Sequence, residues 1–278
     1  RKFWIKPGAK FLTKYLSENK VDCIVSTGPP HSTHLIAYKV AKKTNTPWVA
    51  DFRDPWTNID FYNQLRLTSW ADKKHKKLEQ LILQNASKIV TVSNSWADDF
   101  KNLSNRDVTV IRNGFDHADF ETEIAQLDEK FTICHIGSMN SDRNPEALWI
   151  ALKNLVSNPQ FDQSLSIKLI GQVDHSIFQS IEQYGLTAYL NHIPFLSHKD
   201  ALLALQASQV LMLPINDTPN SLGVVPGKIY EYLGARRPVV GIGPLHGDSA
   251  QILHDSGAGN LFAYDSHGMI YEAKVLKT

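Results

Sequence analysis

The chain has 278 residues, 42% hydrophobic and 21% charged, which is the make-up of an ordinary soluble globular protein of about two domains. Its 29 lysines and arginines nearly cancel its 28 aspartates and glutamates, and a net charge of +1 gives no electrostatic reason to expect nucleic acid as a partner. No run reaches the roughly 18 apolar residues needed to cross a bilayer, and no stretch reads as a signal peptide.

The chain opens on Arg1 inside what reads as a helix, so more of the first domain is expected upstream. Short β-branched runs then alternate with helical stretches. Strands are expected at 22–26, 47–51, 88–92 and 108–111, with helices near 31–43, 65–85 and 95–103. The basic run Lys73 to Lys77 falls on the second of these helices; it reads as a solvated helix face or as a contact with anionic lipid. Arg112-Asn113-Gly114 carries a turn signal, and the acidic, weakly apolar stretch 121–130 reads as a linker. The domains are therefore expected at 1–117 and 118–278.

The second domain starts afresh. Its strands are expected at 131–136, 166–170, 191–194, 210–214 and 238–242, and its helices at 145–156, 175–184, 199–207, 228–233 and 249–254. Near-continuous apolar strands separated by helices imply parallel sheets. The expected fold is α/β, two Rossmann-like doubly wound domains facing across a cleft, the first of them incomplete. Cys23 and Cys134 both fall in apolar runs and are expected to be buried thiols in a reducing compartment.

Ligands of open α/β sheets bind beyond the carboxyl ends of the strands. After the strand at 131–136 comes a loop with Gly137, Ser138 and Arg143, and a guanidinium fork suits phosphate. After the strand at 210–214 comes a long polar loop with Gly223, Val225 and Gly227, which runs into the helix beginning at Lys228. Lys228 and Glu231 are three apart and share a helix face in the first turn, where free amides and the helix dipole attract anions. An ammonium, amides and a carboxylate together suit a ligand with both phosphates and hydroxyls. The plainer reading is a surface arginine and ordinary complementation of a helix dipole.

In the first domain, His31 follows the turn Thr27-Gly28-Pro29-Pro30, and Asp51, Arg53 and Asp54 follow the strand at 47–51. Asp54 reads as a group that orients or deprotonates an acceptor hydroxyl, and His31 as a proton-accepting nitrogen. The alternatives are an internal ion pair that shapes the loop and a local bond at a helix start. Trp48 is expected in the core; Trp56 and Trp70 read as core or as sugar-stacking faces.

The chain resembles a group 1, GT-B type glycosyltransferase, on several motifs. Val110-Ile111-Arg112-Asn113-Gly114-Phe115-Asp116 is similar to the family's interdomain segment, and 226–240 to its donor-site helix. The resemblance implies that Glu231 binds the ribose hydroxyls of a nucleotide. It implies that Arg143, with Ser138 where an arginine is common, lies on the diphosphate, and that Pro194 lies at the strand end that meets the base. Lys228 then supplies part of the charge missing at Ser138. The chain departs from the family at Gly223, where an earlier glutamate often touches the sugar, and at Arg53, near where many relatives have a histidine.

What this implies is a retaining, metal-independent transfer from a nucleotide diphosphate sugar to an acceptor hydroxyl, with no cofactor. The acceptor is a saccharide or a lipid-linked sugar, in cell-surface polysaccharide or glycolipid synthesis. The place is the cytoplasm, with peripheral contact at the inner membrane face. Two other readings stay open: a nucleotide-sugar epimerase of the same fold, and a non-catalytic nucleotide-sugar binding protein.

Overall fold

A computed structural model describes residues 2–121 and 125–265, and the chain divides into two compact units, Arg1–Arg112 and Asn113–Thr278. Part of the acidic stretch read as a linker, 122–124, lies outside the described residues.

The first unit runs α1 (Ile5–Glu18), β1 (Ile24–Gly28), α2 (Ser32–Thr44), β2 (Trp48–Phe52), α3 (Ser69–Asn85), β3 (Lys88–Thr91), α4 (Asn94–Ser104) and β4 (Val108–Val110). All neighbours pair in parallel, in the order β1-β2-β3-β4. Strands in sequence order joined by right-handed crossovers put α2, α3 and α4 on one face, and α3 indeed packs against both α2 and α4. This unit therefore winds in one direction, unlike the doubly wound arrangement expected of both. Trp48, Ala50, Phe52, Ile82, Leu83, Ile89 and Phe100 are buried in it. Trp48 is thus core, and its indole donates to Ser26 Oγ at 2.8 Å. Cys23 departs from expectation. It precedes β1 and is exposed, whereas Cys134 is buried.

The second unit carries β5 (Phe131–Ile136), α5 (Glu146–Leu155), α6 (Pro159–Ser164), β6 (Leu165–Ile170), α7 (His175–Gln183), β7 (Leu190–Ile193), α8 (His198–Ala207), β8 (Val210–Pro214), α9 (Lys228–Ala235), β9 (Val239–Ile242), α10 (Asp248–Ser256) and β10 (Gly259–Phe262). Its parallel sheet has the order β10-β9-β8-β5-β6-β7. The order reverses between β5 and β8, the switch point at which α/β sheets open a crevice. Every residue of β8 and β9 is buried. On one side, Leu148, Trp149, Ala151 and Leu152 of α5 enter the core with Ile167 and Ile177. On the other, Ile229 and Tyr232 of α9 pack with Leu211 and Leu213. Each such large side chain contributes roughly 1.5–3 kcal/mol of transfer free energy.

Local signals set the helix ends. Thr68 accepts from Ala71 N at the start of α3, Asp174 from Ser176 N at α7, and Ser197 from Asp200 N at α8. Gly257 ends α10 in the left-handed region.

Candidate functional site

The switch point of the second unit is built by β5, β8 and α9. β5 and β8 pair only as far as Cys134 and Leu211. Beyond that the Tyr232 hydroxyl stands between them, accepting from Ile136 N and donating to Met212 O, each at 3.2 Å. The strand ends part without orphaning their backbone groups. His135 lies in the opening, wholly buried, with Nδ1 3.0 Å from Met212 O and Nε2 3.1 Å from Lys228 Nζ. A carbonyl can only accept, so Nδ1 carries the proton and Nε2 accepts from the lysine.

Lys228 is the first residue of α9. Burial above all, and then the Arg143 charge, lowers its pKa to about 7, while Glu231 opposes the drop. Burial and the Lys228 charge lower His135 to about 3, with the Met212 carbonyl opposing. Its ammonium lies against Gly137, where a Cβ would stand 3.0 Å from Nζ. Gly137 has φ +103°, and so has Gly171 at +118°, where a Cβ would come within 2.8 Å of Gly137 O.

The loops leaving three strand ends are tied together. Met139 N donates to Gln172 O, Asp174 N to Met139 O, and Asp217 N to Asp142 O. Arg143 Nε donates to Asn216 Oδ1, and its Nη1 to Ser138 O at 3.2 Å. Arg143 and Lys228 therefore converge, while Ser138 is itself exposed and contributes its carbonyl.

Other expected positions fall differently. Gly227 has φ −53° and ψ −33°, ordinary helical backbone, so the site does not use its conformational freedom. A Cβ there would meet no atom within 4 Å. With no side-chain cap at that end, the Gly227 and Lys228 amides take no partner among the described residues; the next amides bond Pro226 O and Gly227 O. Val225 turns its side chain into the core beside Ile229 and Tyr232. Gly223 is buried in the short turn Ser221–Gly223. Pro194 is exposed just after β7. Glu231 lies on the first turn of α9, half-buried.

The first unit has a separate constellation at the ends of β1 and β2. Asp51 Oδ2 accepts from Arg53 Nε at 2.9 Å and from Thr27 Oγ1 at 3.0 Å. The ion pair read as an alternative for this cluster is thus present between Asp51 and Arg53. Asp54 is not its partner; burial, and then the Asp60 carboxylate, raise the Asp54 pKa. His31 caps nothing with its side chain. It stacks on Trp56 at 5.2 Å between ring centres and neighbours His34 at 5.8 Å. His34 Nδ1 is 2.7 Å from Ser26 Oγ. Burial lowers His31 to about 4, against the Pro55 carbonyl, and lowers His34 to about 3. Both rings press on Gly28, where a Cβ would fall 2.6 Å from His34 Nε2 and 2.9 Å from His31 Nδ1. Glu79, buried on α3, holds the loop after β2 by accepting from Trp56 N, Thr57 N and Thr57 Oγ1.

Sequence reading missed His135, Tyr232, Asn216, His34 and Glu79. The signals were a histidine inside an apolar strand, a histidine three residues beyond His31, and a glutamate among the apolar positions of α3. Among the described residues, no group of three or more His, Cys, Asp or Glu side chains is placed to hold a metal ion.

An α/β unit whose parallel sheet reverses its order between β5 and β8 defines a Rossmann-like class of fold. Residues 2–119 match the family described as Glycosyltransferase Family 4. No curated protein matches the sequence. Among solved structures, the chain is similar to a sucrose-phosphate synthase from Thermosynechococcus elongatus, at 13% identity and TM-score 0.68, over 96% of this chain and 66% of that one. It is similar to S. aureus TarM, solved with fondaparinux, alpha-GlcNAc-glycerol and UDP, at 15% identity and TM-score 0.64, over 95% of this chain and 50% of that one. It is also similar to a putative UDP-N-acetylglucosamine 2-epimerase from Listeria monocytogenes, at 11% identity and TM-score 0.57, over 98% and 70%. The chain thus spans about two thirds of the first of these structures and half of the second. The match over residues 2–119 and these structures agree with the expected Rossmann-like, GT-B type fold.

Proposed function

We propose that the chain is the greater part of a glycosyltransferase that moves a sugar from a nucleotide diphosphate sugar to an acceptor hydroxyl, with retention of configuration. The observation that carries this reading is the pocket at the end of β5 and β8. Lys228 and Arg143 lie at the ends of these strands, α9 begins there with its Gly227 and Lys228 amides, and the Glu231 carboxylate is on the same helix turn. In this reading the diphosphate lies on the cations and amides, and Glu231 accepts from the ribose hydroxyls. The leaving diphosphate gains charge in the transition state, and donors already fixed in place stabilise it. That charge is met by side chains and amides, so we propose a reaction without metal or cofactor. Ser138, Pro194, Gly223 and the backbone at Val225 complete the donor side.

The first unit takes the acceptor in this proposal. A carboxyl whose pKa is raised by burial, as at Asp54, is a better base for a hydroxyl than an ordinary aspartate. His31, held neutral, offers an accepting nitrogen, and Arg53 is set in place by Asp51. We assign the acceptor to the saccharides or lipid-linked sugars of cell-surface synthesis, on the cytoplasmic side. A peripheral membrane contact would use the exposed face of α3, where Trp70 lies under Lys74 at 4.7 Å beside Lys73 and Lys77. No helix of the described residues is long and apolar enough to cross a membrane.

Isothermal titration with UDP and GDP tests the donor site. Glu231→Ala is expected to weaken binding by tenfold or more, the scale of charged hydrogen bonds at about 1.5–3 kcal/mol. Unchanged affinity would sink the assignment. The epimerase of similar fold supports a second reading, and Gly223 a third, a binding protein. Incubation with nucleotide sugars separates them: transfer requires an acceptor, epimerisation does not, and a binding protein leaves the donor intact.

A further inference from the structure

Lys228 is the cation that the donor site depends on, yet it does not reach into open solvent. Three groups act on its ammonium: His135 from β5, the repelling charge of Arg143 from the loop after β5, and the attracting charge of Glu231 from its own helix. Of these, only His135 makes a direct contact, 3.1 Å from Nζ. The ring cannot turn away, because it is wholly buried and its other nitrogen is bonded to Met212 O. Gly137, whose bare Cα lies beside the ammonium, leaves no side chain to do the same work.

We propose that His135 is a positioning residue of the anion site: its Nε2 lone pair fixes one N–H of Lys228, so that the other two face the phosphate-binding loop ends. The proposal rests on the donor reading for its functional consequence, but not for its geometry. The bond chain runs Lys228 N–H to His135 Nε2 and His135 Nδ1–H to Met212 O. Both bonds require a neutral imidazole in a single tautomer, and burial beside a cation keeps it so. A protonated ring would offer Lys228 a donor instead of an acceptor and would expel the ammonium. The side chain also sits where a phenylalanine or leucine would pack, so its polarity is what distinguishes it from core.

The test uses the 278-residue chain with His135→Leu, which keeps an apolar core residue, and His135→Gln, whose amide oxygen reaches about as far as Nε2. UDP and GDP are the probes. His135→Leu is expected to weaken their binding about tenfold, the scale of a lost bond to a charged group. His135→Gln is expected to recover most of it. In a Lys228→Met background, His135→Leu is expected to cost nothing further. A full cost in that background, with both single variants folded, would show that His135 acts otherwise and would overturn the proposal. Nucleotide-independent evidence comes from the NMR titration of Lys228 after ¹³C-methylation. Its midpoint is expected to move by about one unit in His135→Leu, equivalent to one such bond, and by little in His135→Gln. A midpoint unmoved in both, or moved equally in both, also overturns the proposal. If UDP and GDP fail to bind the unmodified chain while the midpoint moves as stated, the donor reading fails and the role of His135 toward Lys228 stands.

Discussion

Tyr232→Phe removes a single oxygen from the place where β5 and β8 part. The ring keeps its volume, so no cavity term larger than that atom enters. The lost hydroxyl bridges Ile136 N and Met212 O at 3.2 Å on each side. Met212 O keeps the proton of His135 Nδ1 as a partner, so the acceptor remains satisfied. Ile136 N does not: β5 and β8 no longer pair at that level, and the donor is left without its acceptor. An orphaned buried donor costs about 1–3 kcal/mol, and a working figure is about 2 kcal/mol. For a unit of this size that corresponds to a fall in Tm of about 4–8 °C. Urea unfolding at neutral pH, followed by tryptophan fluorescence, reads the change directly, since Trp149 is buried in the same unit. A loss smaller than about 0.5 kcal/mol, the range of ordinary surface substitutions, would mean that water or the ladder replaces the hydroxyl, and the bridging role would be refuted.

Two further outcomes follow from the same geometry. Lys228→Met is expected to abolish most UDP or GDP affinity yet to stabilise the fold at pH 6. The folded pKa of about 7 lies below the free value of 10.5, so the unfolded chain holds an extra proton between those pH values and wild-type stability rises with pH across them. The advantage of the variant should therefore be greatest below pH 7 and shrink towards pH 10; denaturation curves at pH 6 and 9.5 that show no such difference would contradict the burial of a charged Lys228. Gly28→Ala places a methyl 2.6 Å from His34 Nε2. It is expected to destabilise the first unit by about 1–3 kcal/mol through overpacking, and a thermal melt within a degree of wild type would show the two imidazoles free to move.

Much of this architecture was legible in the sequence because buried parallel strands write themselves as apolar runs. Phe131–Ile136 and Val210–Pro214 fall where the pattern put them, and other strands within two residues. β10 was not seen: Gly259-Asn260-Leu261-Phe262 is too short and too polar at its start to stand out. The single direction of winding in the first unit was equally hidden, since strand order is a matter of pairing rather than of composition. For the candidate site, the approach of Arg143 and Lys228 was readable from the strand ends that precede them. His135 and Tyr232 were not, because a polar group inside an apolar segment reveals its role only once its partner, Met212 O, is brought across the sheet. Gly227 has ordinary helical backbone, and Val225 lies in the expected loop with its side chain turned into the core.

Gly137 and Gly171 end successive strands with positive φ, one lying on the carbonyl of the other and beneath Lys228. Beside the Lys228 ammonium the wall of the site is therefore peptide backbone at these two glycines. Such a surface has no side chain through which mutation can adjust charge or shape, and each first step away from glycine strains the chain. A change in what the site binds is therefore expected from side chains around these glycines, such as Ser138 and Asn216, rather than at the glycines themselves.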